Sequence, residues 1–449
     1  MNTFLTLPFK LSTCEKLIFS RFCSTAQNNQ QQQQQQQQHL EGCLSGIKVL
    51  DLSRVLAAPF CSMLLSDLGA EVIKVERLGG GDQTRSWGPP FVKGNAAYNL
   101  AINRNKKSIA IDFKKAEGLE IVQRLAKMSD ILIENYLPGK LDQAGLGYET
   151  IYKINPQIIY CSVSGFGSSG PYKKRAGFDV IAASIGGLMS VTGPEDGEPC
   201  KPGVAITDLT TGLFAKGAIL AALYQRTRTG IGMKVEANLL SSQVALLTNL
   251  GVGYLNTGEI PPRRGTAHEN LVPYQAFRCE DGKYITICAG SNEMFSKICE
   301  IIFPPEKAKQ MIEDKRFLNN SDRVINRKTL IDIMTQTFST KSLDKWLAAF
   351  DNSKVSYGPI NELDAVFDDP QVKHNECVIQ VEHPESGTVK LIGPAVKYIS
   401  KLNEVSGIKK NIEPPPMLGQ HTVQVLSEVL GYNDDQIRNL KENKIIQCS

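Results

Sequence analysis

No C-x-x-C pair occurs in the 449 residues, and the five histidines (His39, His268, His374, His383 and His421) show no ligand spacing. That excludes a zinc site of the usual structural pattern, and the eleven scattered cysteines read as buried or reduced thiols of an intracellular compartment, not as a disulfide scaffold. No uninterrupted run of about 18 apolar residues is present, so no membrane span is expected. Net charge is also scarce: 50 basic against 46 acidic residues leave +4, which makes no case for nucleic acid but permits a basic groove for an anionic ligand. Two nucleotide and hydrolase signatures are missing as well. The turn Ser53-Arg54-Val55-Leu56-Ala57 lacks the glycines of a dinucleotide-binding fingerprint, and the glycine-serine loop from Ser164 to Gly170 contains no G-x-S-x-G elbow.

What is present begins with two segments outside any core. Met1 to Ala26 sets Lys10, Lys16 and Arg21 against one acidic residue, Glu15, the pattern of a mitochondrial transit peptide and hence of a matrix protein. Gln30 to Gln38 is an unbroken glutamine tract that has no apolar surface to bury. Residues 1–43 are therefore read as leader and linker, with the globular protein starting at Leu44.

From Leu44 strands and helices alternate. Strands are expected at Ile47–Leu52, Glu71–Glu76, Ser108–Asp112, Asp130–Glu134, Ile158–Ser164 and Met233–Ala237. Helices are expected at Pro59–Leu68, Glu117–Met128, Phe178–Met189, Leu213–Arg226 and Leu239 to about Leu255. Such alternation implies crossover connections and an α/β fold with a parallel sheet covered on both faces. Two strands around Asp281-Gly282 form a hairpin, and residues 235–330 are read as a smaller domain between a large-domain segment, 44–234, and a C-terminal portion, 331–449. Further helices are expected at Leu343–Phe350 and Thr422–Leu430, with a strand near Val389–Ile392.

The stretch Lys201 to Gly212 places one carboxylate, Asp208, ahead of an alanine-rich helix. An aspartate there caps a helix, where exposed amides and the dipole favour negative charge, or acts as a nucleophile.

Four blocks carry a wider pattern: Asp51 to Phe60, Gly69 to Glu76, Asn103 to Asp112, and Ile133 to Gly139. With Gly193-Pro194, Ala205 to Gly212, Ala267 to Phe277 and Leu418 to Thr422, they resemble the class III CoA-transferase family from Leu44 to Tyr432. Thr192 to Gly197, Gly265 to His268, Val272 to Phe277 and the triple proline Pro414 to Pro416 are most similar to its mitochondrial members acting on succinate and hydroxymethylglutarate or glutarate.

The resemblance implies a Rossmann-like large domain built from both chain ends, a smaller α+β domain, and an interlaced homodimer. It implies CoA transfer from succinyl-CoA to a small dicarboxylic acid, with the CoA thioester as substrate and no permanently bound cofactor, metal, nucleic acid or membrane. The family's catalytic aspartate falls on Asp208. Its CoA contacts fall on Leu56, Ala57, Arg77, Ile111, Lys114, Asn135, Tyr136, Leu137 and Asp179. An aspartate ionised at its ordinary pKa would serve as nucleophile without special activation. The chain departs from formyl-transferring members at Gln143 and Ala176, where they carry basic residues, and at His268 to Leu271, where they carry a glycine loop. Two other functions compete. A racemase of this fold would need a histidine where Phe178 stands, and a phenyl ring exchanges no proton. A non-catalytic CoA-binding protein would bind CoA and exchange no acid.

Overall fold

The computed structural model describes residues 42–399 and 407–449. The expected transit peptide and glutamine tract lie outside the described residues. The described residues divide into two compact units, one of residues 42–175, 211–237, 379–399 and 407–449, the other of residues 176–210 and 238–378. The second unit thus takes in chain on both sides of the 235–330 segment.

The first unit is organised on a sheet of seven strands: β1 (Lys48–Asp51), β2 (Glu71–Glu76), β3 (Lys106–Ile111), β4 (Ile131–Glu134), β5 (Ile159–Ser164), β6 (Met233–Asn238) and β7 (Ile446–Gln447). Their order is β7-β3-β2-β1-β4-β5-β6. The β3-β2-β1-β4-β5 ladder is parallel, and β7 closes the far edge antiparallel to β3, with Ile446 opposite Ile111. Consecutive strands leave β1 in opposite directions, so the switch point falls between β1 and β4, where open α/β sheets bind ligands outside the carboxyl ends of the strands.

Near-continuous apolar strands, buried on both faces, make this core. Leu50, Leu132, Ile158 and Ile121 are fully enclosed. Helix α1 (Ala57–Asp67) returns from β1 to β2 and helix α2 (Ala116–Lys127) from β3 to β4. The C-terminal portion is tied to β3 by polar contacts of its own. Ser108 N–H donates to His421 Nδ1 at 3.1 Å, and Ala110 N–H to Thr422 Oγ1 at 3.1 Å.

Helix α3 (Ile206–Thr229) starts seven residues before the expected Leu213, its first residues belonging to the second unit and the rest to the first. By length and composition it is apolar enough to cross a bilayer. It nevertheless buries Ala215, Ile219, Ala222 and Leu223 in the protein.

In the second unit Tyr274–Arg278, Tyr284–Cys288 and Ser356–Pro359 form a three-stranded antiparallel sheet, its first turn at Asp281-Gly282 as the sequence indicates. Phe338 stacks on Phe277 at 4.7 Å between centroids and meets the tilted Trp346 ring at 4.9 Å, and the Trp346 indole donates to Phe338 O at 2.8 Å. The expected helix over 239–255 is two helices, Leu239–Leu246 and Thr248–Thr257, and that over 178–189 is also two, Asp179–Ile185 and Leu188–Val191. In the second case Gly186-Gly187, with Gly187 at φ 82°, makes the break.

One glycine fixes how α2 approaches β3. A methyl group on Gly118 would stand 2.2 Å from Asp112 O, whereas at Gly217 on α3 it would meet nothing within 4 Å. Gly118→Ala is expected to destabilise the protein by about 1–3 kcal/mol, read as a lowered Tm; a Gly118→Ala protein melting with wild type would contradict this packing.

Candidate functional site

The chain leaving β1 turns at Ser53–Leu56 before α1, and side chains from other strand ends pin its backbone. Ser53 O accepts from Lys74 Nζ at 2.7 Å. Arg54 is gripped twice by Asn135, its N–H donating to Oδ1 at 2.9 Å and its O accepting from Nδ2 at 2.6 Å. Val55 N–H meets both oxygens of Asp82 at 3.2 Å. Val55 has φ 70°, a left-handed conformation that a β-branched residue rarely adopts. The Arg54 guanidinium lies 4.4 Å from the centre of the Tyr136 ring, and its Nε is buried without a hydrogen-bond partner.

Beneath this turn the central strands carry buried charges. Lys74 pairs with Asp82 at 3.1 Å, Lys106 with Asp51 at 3.2 Å, and Arg85 with Glu76 at 2.6 Å. Burial pushes the Asp51 carboxyl up, but the charges of Lys106 and Lys74 and the hydroxyls of Ser53 and Ser62 outweigh it and hold the group at about 2. Burial pushes Lys106 down to about 8, against the pull of Asp51. At neutral pH each acid in the set is therefore matched by a cation.

Above the turn lies a cavity of about 500 Å³ lined by Arg54, Lys74, Arg77, Ile111, Phe113, Lys114, Tyr136, Leu137 and Lys140 among others. Five of the residues singled out in the sequence, Arg77, Ile111, Lys114, Tyr136 and Leu137, thus share one surface. Its lining sets five cationic side chains, Arg54, Lys74, Arg77, Lys114 and Lys140, against three carboxylates, Glu76, Asp82 and Asp112, beside Phe113 and Tyr136, whose rings meet edge to face at 6.3 Å. This combination suits a ligand with anionic groups and a flat or apolar body. Asn135 does not line the cavity but secures its wall by holding Arg54. Leu56 and Ala57 are buried at the start of α1, outside the lining. There Ala57 O would stand 2.6 Å from any side chain at position 212, which only glycine avoids. Sequence reasoning does not single out Arg54, Lys74, Asp82 or Lys140. The signal for Arg54 is its place in the first glycine-free turn, whereas Lys74 and Asp82 gain meaning only from strand pairing.

Asp208 occupies the first turn of α3 in the second unit. The local sequence leaves it as cap or nucleophile, and the capping role belongs to Asp179. One oxygen of Asp179 accepts from Thr207 N–H at 2.8 Å and from Asp208 N–H at 3.1 Å. Thr207 Oγ1 also donates to Gln243 Oε1 at 2.8 Å, fixing the turn from a third segment. Asp208 is 8% exposed, and burial, followed by the charge of Asp179, pushes its carboxyl up to about 7. This corrects the expectation of an ordinary carboxylate kept ionised by a helix end. The amides that would have stabilised its charge are occupied by Asp179, and desolvation exceeds the remaining dipole effect.

The loop His268–Leu271 is also fastened within the second unit. Arg327 Nη2 donates to His268 O at 2.9 Å and to Glu269 O, and Asn320 Nδ2 donates to Asn270 O at 2.6 Å. The His268 ring stacks on Tyr274 with centroids 5.2 Å apart.

Comparison with known proteins shows what the chain as a whole is similar to. The succinyl-CoA:glutarate CoA-transferase of Mus musculus is 51% identical over 405 residues, 90% of this chain and 90% of that protein. The succinate–glutarate CoA-transferase of Agrobacterium fabrum is 40% identical, covering 86% of this chain and 95% of its own length. The crystal structure of a CAIB/BAIF family protein from Brucella suis superposes with a TM-score of 0.76 at 39% identity, covering 87% of this chain and all of that one. The family model of CoA-transferase family III matches residues 44–422, and the chain belongs to that family as a class III CoA-transferase.

Proposed function

We propose that this enzyme moves CoA from succinyl-CoA to a dicarboxylate, glutarate or 3-hydroxymethylglutarate, with Asp208 as covalent nucleophile. The observation carrying the reading is a buried carboxylate with a raised pKa in the first turn of α3, in a chain that shares 51% identity with a succinyl-CoA:glutarate CoA-transferase. Arg77 and Lys114, on the wall of the 500 Å³ cavity, hold CoA phosphates, while Tyr136 and Leu137 contact the body of the nucleotide or its pantetheine arm.

Asp208 attacks the thioester carbonyl, the C–S bond breaks, and CoA leaves as thiolate with an aspartyl–succinyl anhydride remaining. The thiolate then attacks the aspartyl carbonyl and expels succinate, leaving an aspartyl-CoA thioester. The acceptor carboxylate attacks that carbonyl and releases thiolate again. Attack of the thiolate on the new acyl group yields the acceptor's CoA thioester and returns the Asp208 carboxylate. Each bond formed replaces one broken, so no further energy source enters. Both intermediates are open to hydrolysis, and the fastened loop His268–Leu271 shields them from water. Phe178, at the position where a racemase of this fold would need a proton carrier, supports transfer over isomerisation.

The active enzyme is an interlaced homodimer of the mitochondrial matrix. Apolar side chains left in water support the dimer: Phe214 and Tyr224 of α3 are 50% and 69% exposed, as are Val252 and Leu255 of the second unit at 61% and 79%. The cationic pattern of Met1 to Ala26 supports the location.

Three outcomes test the reading. With succinyl-CoA and labelled glutarate, purified enzyme forms labelled glutaryl-CoA, and Asp208→Asn lowers kcat at least about 10⁴-fold; comparable turnover by the variant removes the carboxylate from the mechanism. Attack needs the ionised form, so kcat/KM for wild type rises with pH and reaches half its plateau near 7, the value to which Asp208 is pushed. Stability runs the opposite way. A carboxyl whose folded pKa lies above its unfolded one favours the fold below about pH 4 and loses that contribution as pH rises through 7. Asp208→Asn should therefore melt with wild type at pH 4 and above it at pH 8, which thermal denaturation at the two pH values checks.

A further inference from the structure

The turn between β1 and α1 holds a conformation that its own sequence disfavours. Val55 stands at φ 70° although its side chain branches at Cβ. Residues in such conformations persist where surrounding structure over-determines them, and they gather at ligand clamps.

The N–H side of the Arg54–Val55 peptide is held by Asp82, and its carbonyl by Asn135. Both Asp82 oxygens receive the Val55 N–H at 3.2 Å, and Oδ1 also receives Thr84 N–H at 3.0 Å. The carboxylate is itself immobilised. Lys74 Nζ lies 3.1 Å away with both side chains buried, and Asp82 N–H donates to Glu76 Oε2 at 3.0 Å. Lys74 then reaches the turn a second time through Ser53 O at 2.7 Å. Carboxylate and ammonium thus grip the peptides on either side of Arg54, whose guanidinium is turned onto Tyr136 at the wall of the 500 Å³ cavity. If Val55 relaxed to negative φ, the peptide between Arg54 and Val55 would rotate and the guanidinium would swing away from that wall.

We infer that Asp82 is a positioning residue for acyl-CoA, one that holds Val55 in its left-handed conformation and thereby aims Arg54 at the bound nucleotide. Asp82 enters no bond-making step, and although it also stands on the cavity lining, its carboxylate is taken up by Val55, Thr84 and Lys74, so its effect reaches CoA through the turn. The inference rests on the assignment of the cavity to CoA. Asp82→Asn would keep the shape of the side chain but lose the charge that secures Lys74, and the turn would keep only the Asn135 contacts on Arg54 against the strain at Val55.

The test uses Asp82→Asn, the double variant Asp82→Asn/Val55→Gly, and Val55→Pro, with CoA affinity from calorimetry and steady-state kinetics with succinyl-CoA. Asp82→Asn is expected to weaken CoA binding and raise the KM for succinyl-CoA by roughly tenfold or more, with the loss falling on KM and not on kcat. Glycine takes positive φ without strain, so the double variant recovers most of the lost affinity. Val55→Pro forces φ to about −65° and removes the N–H, so it weakens CoA binding at least as much with Asp82 and its ion pair intact. Asp82→Asn or Val55→Pro binding CoA like wild type overturns the inference, and so does a double variant binding no better than Asp82→Asn. Should Asp82→Asn not fold, Val55→Pro decides alone. Wild-type enzyme that binds no CoA would instead overturn the assignment of the cavity, a result distinct from any pattern among the variants.

Discussion

The carboxyl ends of the central strands depend on a set of charges held largely away from water. Asp51, Lys74, Glu76 and Lys106 all project from β1, β2 or β3 into the interior, joined by Asp82 and Arg85 from the chain after β2. Buried ion pairs are weak sources of stability compared with apolar packing, but removing one partner strands the other and costs about 3–5 kcal/mol. The set is therefore better understood as a means of specification. Members of it also bind backbone or hydroxyl groups: Lys106 takes Pro59 O at 2.8 Å, Arg85 takes Pro416 O at 3.1 Å, and Glu76 takes the Ser108 hydroxyl at 2.6 Å. A single polar cluster thus fixes the entry to α1, the turn before it and the returning C-terminal chain, and the turn borders the cavity that receives CoA in the proposed reaction.

What the sequence discloses is local, and what it conceals is long-range. The bounds of β2, Glu71–Glu76, are legible because Gly69 ends the preceding helix and a charge ends the apolar run. The helix Leu343–Phe350 and the Asp281-Gly282 hairpin are equally clear, since periodicity and turn chemistry are written within a few residues. The last strand, Ile446–Gln447, is invisible in the sequence, because two residues have no period and its existence depends on an edge offered by β3. Local pattern also starts α3 too late, at Leu213. Its first turns contain Thr207, Thr210 and Thr211, poor helix formers, and are secured by Asp179 from 28 residues upstream.

The site divides along the same line. Arg77, Lys114 and Tyr136 are accessible through resemblance, and they line one cavity because they follow the ends of β2, β3 and β4. Resemblance also points to Leu56 and Ala57, which the structure buries behind the turn. Residues that act on backbone, Asp82 on Val55 and Asn135 on Arg54, have no local signature at all. Their role exists only once three strand ends are adjacent. Asp208 is the instructive case in the other direction. Its position near a helix start is legible, but its electrostatics are not, because the sign of its pKa shift depends on burial and on which carboxylate reaches the helix amides first.

That shift bears directly on the proposed covalent catalysis. Holding a carboxylate where its pKa is about 7 rather than 3.8 penalises its ionised form by on the order of 4 kcal/mol. The penalty falls on the charged carboxylate alone. In the proposed reaction both the anhydride and the aspartyl-CoA thioester are neutral at Asp208, so neither suffers the desolvation nor the repulsion from Asp179 that burdens the free enzyme. Attack therefore relieves a strain that the fold imposes beforehand, and part of the barrier is removed by raising the ground state relative to the two covalent intermediates. A more basic carboxylate is also the stronger nucleophile, which adds to the same effect. The limit is set by ionisation: burial any deeper would leave Asp208 protonated at neutral pH and idle. Asp179 serves both sides of this balance, because the carboxylate that repels Asp208 is also the one that takes the amides of Thr207 and Asp208 and holds the helix end in place.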